Sequence, residues 1–218
     1  MMMLFRIFTV LFVISIPLFL LTSNIRWVAN DLDYWEKGFE KYDVSAETGF
    51  SEKELTDISK GLIRYFNTGE IDYTIYVFSD DEITHLRDVR GLIHLDYIIQ
   101  WLTLGYIIIY ILAGFVLRKK LFARPLAAAL AAGGAAGIAA VALTAMAAAI
   151  DFDWLFTAFH RIFFTNDLWI SSGYLPRVYT EGFFYDAAVA IAATTIFQSL
   201  LIGGPAGLFL LRRRRSNQ

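Results

Sequence analysis

The side chains of this sequence best suited to moving protons are His85, His94 and His160. His85 lies in the run Asp80-Asp81-Glu82-Ile83-Thr84-His85-Leu86-Arg87-Asp88-Val89-Arg90. In a helix, Asp81 and Asp88 fall within about 60° of His85, on one face. A carboxylate one turn away orients an imidazole and stabilises its charged form. His94 follows nine positions later, on the opposite face, and reads as a polar residue at a membrane boundary. His160 opens the aromatic run Phe159-His160-Arg161-Ile162-Phe163-Phe164-Thr165-Asn166-Asp167-Leu168-Trp169. Asp153, Thr157 and His160 share a helical face by their spacing. On spacing alone, His160 is better explained as an interfacial residue in an aromatic belt than as a catalytic one.

Other chemistries find less support. Cysteine is absent, which excludes both a disulfide framework and a thiolate nucleophile. A metal held by two histidines, with Asp88 or Asp153 completing the set, has few ligands to draw on, and no metal is expected. Ser171 and Ser172 sit in no nucleophile-elbow pattern, and no glycine loop suited to a nucleotide is present.

These residues belong to segments defined by charge. All 21 acidic residues fall within 31–96 and 151–186, whereas the remaining segments carry only basic charge, at Arg6 and Arg26, then Arg118, Lys119, Lys120 and Arg124, then Arg212 to Arg215. Between them lie four apolar runs, about Leu4–Leu21, Ile98–Leu117, Leu126–Ile150 and Ala187–Leu211. Each reaches the roughly 18 residues a helix needs to cross about 30 Å of hydrocarbon. Short basic loops stay on the cytoplasmic face. The expected order is a span at 1–23, an extracytoplasmic cap at 24–96, a span at 97–117 and a cytoplasmic basic loop at 118–125. A span at 126–150, an interfacial aromatic segment at 151–186, a span at 187–211 and a cytoplasmic basic tail at 212–218 follow. The first run is read as a retained anchor, because Leu21-Thr22-Ser23-Asn24 makes a poor cleavage site. No charged side chain but Arg6 interrupts any run, which argues against ion-coupled transport. The acidic outer segments exclude nucleic acid as a partner.

Within the cap, Ser51 and Glu54 stand in capping-box spacing, and Leu55, Ile58, Leu62 and Phe66 give the helix that follows one apolar face. Ser79 and Glu82 repeat the box before a helix expected to run into the second span. Alternation through Ile71, Tyr73, Ile75 and Val77 predicts a strand, with a partner from 25–44. Gly133 and Gly137 predict close helix packing in the third span, and Gly203, Gly204, Pro205 and Gly207 predict a kink or loosened turn in the fourth. The fold class expected is thus a membrane all-α bundle of four transmembrane helices with a small α+β extracytoplasmic cap.

The chain resembles the bacterial integral-membrane family of lipoprotein intramolecular transacylases over nearly its full length. The marks are Gly49-Phe50-Ser51-Glu52-Lys53-Glu54-Leu55 with Tyr65, then Glu82-Ile83-Thr84-His85-Leu86-Arg87-Asp88-Val89, then Phe159 to Trp169. After Trp169 it departs from the family pattern, with a shorter stretch and Thr180 where proline is usual. The resemblance implies an O-to-N transfer within one substrate. The sn-2 acyl chain of a diacylglyceryl lipoprotein would move to its N-terminal cysteine amine, giving the lyso form. It implies His85 and His160 as catalytic general acid and base, in exchangeable roles, with no cofactor, metal or covalent intermediate. Asp88, Arg87, Arg161, Asp153, Asn166 and Trp169 are expected to support them or bind substrate. The partners implied are diacylglyceryl lipoproteins and membrane lipid, in the bacterial cytoplasmic membrane with both termini inside and the site outside. The alternative from another class is a non-catalytic lipid-binding or assembly protein.

Overall fold

The computed structural model describes residues 2–215, and the side chains of residues 3–212. Part of the expected cytoplasmic tail, 216–218, therefore lies outside the described residues. The helices are α1 (Met2–Asn30), α2 (Leu32–Lys41), α3 (Val44–Thr48), α4 (Glu52–Thr68), α5 (Asp80–Arg118), α6 (Ala123–Ile150), α7 (Phe152–Phe163), α8 (Leu175–Val178) and α9 (Glu181–Arg215). Short 3-10 helices occupy Tyr73–Val77 and Lys119–Phe122. The chain divides into two compact units. One holds Met1–Ile25, Tyr97–Met146 and Ala190–Gln218; the other holds Arg26–Asp96 and Ala147–Val189.

The first unit is apolar and held by small residues and a few polar bonds. Phe12, Ile16, Leu20, Tyr110, Phe122 and Ala129 form its core. A side chain on Gly133 would overlap Ile16, and one on Gly134 would meet the Ser199 carbonyl at 2.6 Å and the Gly203 Cα at 2.9 Å. The glycines of α6 thus let the α1 side chain and the α9 backbone come close, which strengthens dispersion contact where no hydrophobic effect drives helices together. Gly203 serves the same approach from the other side. Asn24, buried, donates to Thr195 and to the Gln198 side-chain oxygen, both at 2.9 Å.

Two expectations are corrected. Three helical stretches, not four, are long and apolar enough to cross a membrane: Met3–Asn30, Asp80–Ile150 and Glu181–Arg212. The second is a single helical stretch of 71 residues. Its only change is the 3-10 turn at Lys119–Phe122, where Lys119 takes a left-handed conformation (φ 49°) and Phe122 is fully buried beside Gly114. The second correction concerns the cap: among the described residues there is no strand.

The second unit shows why. Residues expected to supply a partner strand form the end of α1 and then α2, capped by the Asp31 carboxylate accepting from Tyr34 N–H. The 71–77 alternation instead becomes a turn fixed by Asp72, whose carboxylate accepts from the Thr74 N–H and hydroxyl. Three residues per turn place Tyr73 and Tyr76 outward at 80% and 70% exposure and leave Ile75 inward at 1%. Gly61 on α4 has no Cβ and so admits the Thr74 hydroxyl. Around this turn, α4 carries the expected capping box and ends at Gly69, whose left-handed φ of 83° favours glycine. Arg90 Nε donates to the Tyr65 carbonyl at 3.0 Å, and a His94 ring nitrogen lies 2.9 Å from the Phe66 carbonyl, so α5 satisfies the last turn of α4. Trp35, Phe39, Leu55, Leu62, Ile75, Leu86, Val178 and Phe183 pack together as the core of this unit.

The Gly134 contact makes a specific prediction. Gly134→Ala lowers thermal stability in detergent by about 1–3 kcal/mol through overpacking. Gly204→Ala, where an added Cβ meets nothing within 4 Å, leaves stability unchanged or raises it by up to about 1 kcal/mol.

Candidate active site

His160 is placed by α7. The helix begins where Asp151 accepts from Trp154 N–H at 2.9 Å, and it exposes Trp154, Ile162 and Phe163 while burying His160. In this last turn, His160 Nδ1 lies 2.8 Å from the carbonyl of Phe156, one turn back. A carbonyl only accepts, so Nδ1 carries the proton and Nε2 is left with its lone pair. The ring is enclosed by aromatic neighbours. Phe156 lies at 4.2 Å between centroids, Trp169 stacks at 4.7 Å, and Phe159 and Phe164 each stand at 5.4 Å. Burial pushes the His160 imidazole below the ordinary histidine value, while the bond to Phe156 works in the opposite direction.

His85 reaches the same place from α5. Its ring centre is 5.9 Å from that of His160, tilted by 33°, and meets Phe164 edge-on at 4.8 Å. The two imidazoles are 6% and 7% exposed. At this separation a proton on one disfavours a proton on the other. His85 Nδ1 is buried and has no hydrogen-bond partner among the described residues. Buried polar atoms are seldom left so, and this one is available to a polar group of a bound molecule.

The other expected site residues divide into two sets. Trp169 lies on the His160 ring, and Asn166 donates to the Asp88 carboxylate at 2.9 Å, so these join the histidines. Asp88 thus accepts from Asn166 and makes no bond to His85 Nδ1. Arg87, Arg161 and Asp153 are exposed. His94 is occupied at the end of α4. Among the described residues no three His, Asp or Glu side chains are grouped as metal ligands would be. Sequence reasoning missed Phe156 as a wall of the site. It also missed the second role of Glu82, which accepts from Ser171 and Leu175 as well as from its own cap. Spacing identified the Ser79–Glu82 cap, but partners 89 and 93 positions away leave no periodic signal.

The sequence model of the lipoprotein intramolecular transacylase family, Lit, matches residues 10–184. Solved structures of the membrane-integral lipoprotein intramolecular transacylase Lit from Bacillus cereus are similar in fold. The first has a TM-score of 0.85 at 18% identity, covering 99% of this chain and 100% of that one. A variant with one histidine replaced by arginine has a TM-score of 0.78 at 18% identity, covering 99% and 95%. A variant with alanine there has 0.79 at 17% identity, covering 97% and 96%. No curated protein sequence gave a significant match.

The enclosure of His160 is checked by titration. Followed by NMR, its ring titrates with a midpoint below about 6.5, the ordinary histidine value. Trp169→Ala admits water to the ring and moves the midpoint upward; a midpoint unmoved by Trp169→Ala would place the cause elsewhere.

Proposed function

Because the chain belongs to the lipoprotein intramolecular transacylase family, we propose that it is an acyltransferase whose paired histidines move an acyl chain from oxygen to nitrogen within one lipoprotein. The substrate carries diacylglycerol on the sulfur of its N-terminal cysteine, and the product is the N-acylated lyso form. The observation that carries the catalytic assignment is the bond from His160 Nδ1 to the Phe156 carbonyl. It leaves Nε2 as a base beside a second imidazole.

The steps follow from that geometry. An α-amine has an ordinary pKa near about 8 and is partly protonated at neutral pH. His160 Nε2 takes a proton from the amine as its nitrogen bonds to the sn-2 ester carbonyl carbon. The negative oxygen that develops there needs a donor, and His85 Nδ1, when it bears the proton, is the buried group with no other partner. As the tetrahedral carbon releases the glyceryl oxygen, the His160 imidazolium returns the proton to it. One C–N bond forms, one C–O bond breaks, and the proton passes from nitrogen to oxygen. Total mass is unchanged. Ester and amine belong to one molecule, so holding them in register removes much of the entropic barrier. The aromatic side chains around His160 exclude water, the competing nucleophile. Asp88 and Asn166 support the His85 side of the site; Arg87, Arg161 and Asp153 are left to contact substrate or lipid from the surface.

Charge supports the orientation. The segments 31–96 and 151–186 hold every acidic residue, and the basic residues at Arg6, Arg118–Arg124 and Arg212–Arg215 lie outside them. The positive-inside rule then puts the histidine pair, which lies in the acidic segments, on the extracytoplasmic side. Exposed Trp154, Ile162 and Phe163 on α7 suit the lipid interface.

The test uses a bacterium lacking its own N-acylating enzymes. Mass spectrometry of an abundant lipoprotein's N-terminal peptide should show diacylglyceryl-cysteine converted to N-acyl, monoacylglyceryl-cysteine at equal total mass. At matched expression, His160→Ala and His85→Ala should each slow conversion by about 10²-fold or more. Full conversion by both variants would contradict the histidine assignment, and no conversion by folded wild type would favour a non-catalytic lipid-binding or assembly role.

A further inference from the structure

Glu82 is wholly buried and forms no ion pair among the described residues. Each of its carboxylate oxygens accepts from two donors. Oε2 accepts from the Ser79 N–H at 2.9 Å and the Ser79 hydroxyl at 3.1 Å. Oε1 accepts from the Ser171 hydroxyl at 2.8 Å and the Leu175 N–H at 2.9 Å. A backbone N–H can only donate, and one faces each oxygen, so this site suits a carboxylate accepting at both ends. A neutral amide would set its own N–H₂ against one of those donors. Gly173 lies against the same carboxylate, where a Cβ would overlap it.

Helix capping does not account for this arrangement. Glu54 forms the same box with Ser51 at the start of α4, and it does so exposed to solvent. Burying a carboxylate without a cation is costly, and the additional contacts made by Glu82 all go to residues 171–175. That segment continues directly from Trp169, which stacks on His160, and from Asn166, which bonds Asp88. On α5, Glu82 stands three residues before His85, less than one helical turn away. One buried group therefore links the helix bearing one histidine to the loop that lies over the other.

We propose that Glu82 is a positioning residue for acyl transfer: it fixes the 166–175 segment to the first turn of α5, and so holds Trp169 and the His160 ring in register with His85. The role deepens the transacylase reading and rests on it. Substrate binding draws mainly on acyl and peptide contacts that this linkage does not make, so its loss acts on the reacting geometry.

The experiment measures kcat and KM of the purified full-length protein in detergent, with a synthetic diacylglyceryl-cysteine lipopeptide, at matched folded fraction. Glu82→Gln keeps the size of the side chain but cannot accept at both ends. Ser171→Ala removes one donor and leaves the carboxylate. Both should lower kcat by at least about threefold with KM held within about twofold, and the double variant should be no worse than Glu82→Gln alone, as for residues acting through one linkage. If Glu82→Gln does not fold, Ser171→Ala decides by the same criterion. Active wild type with kcat less than threefold changed in the variants, or with the loss carried by KM, overturns this proposal alone. A wild type that does not convert the lipopeptide overturns the transacylase reading and this proposal with it.

Discussion

A buried imidazole in apolar surroundings has one N–H to satisfy, and His160 satisfies it on the carbonyl of its own helix, at Phe156. Much of the site follows from that bond. It selects the tautomer, directs the lone pair of Nε2 away from α7, and lets the ring be enclosed by phenylalanine and tryptophan without leaving a donor unmet. The enclosure shifts the imidazole toward its neutral form by disfavouring the charged one. A neutral ring is the form in which histidine can act as a base. Had Nδ1 bonded a carboxylate instead, the ring would have been a stronger base but more often already protonated at neutral pH.

His85 differs in being left incomplete. Its Nδ1 is buried without a partner, 5.9 Å between ring centres from His160. One histidine is satisfied by the protein and the other awaits a group that the protein does not supply. That asymmetry suits a reaction in which one residue transfers protons and its neighbour steadies a developing charge. It also distributes the roles that the residue types alone leave exchangeable. The shared neighbour Phe164, edge-on to His85 and 5.4 Å from His160, lies against both rings from one side.

Much of this was legible from residues in order. The capping boxes at Ser51/Glu54 and Ser79/Glu82 depend on contacts three residues apart, and the apolar runs on composition, so both could be read locally. The motifs around His85 and His160 led to the family. The errors arose where local pattern and longer-range packing disagree. Alternation at 71–77 resembled a strand, but Asp72 closes a turn and 25–44 offers helix, not an edge to pair with. Expecting separate spans on either side of 118–125 failed because that stretch is itself helical, with a 3-10 turn seated on Phe122. Glu82 read as a cap and nothing more, since its other partners are 89 and 93 residues away. The Gly134–Gly203 approach was half legible: spacing marked the glycines of α6, but not their partner on α9.

The central claim is that His160 works as a neutral base through Nε2, and the most direct measurement is nitrogen NMR of its ring at neutral pH. Protein with ¹⁵N-labelled histidine, compared with single-histidine substitutions for assignment, reports which ring nitrogen bears hydrogen. The account predicts a protonated Nδ1 and an unprotonated Nε2. A ring protonated at Nε2, or at both nitrogens, would leave no lone pair there to take the substrate's proton and would contradict it.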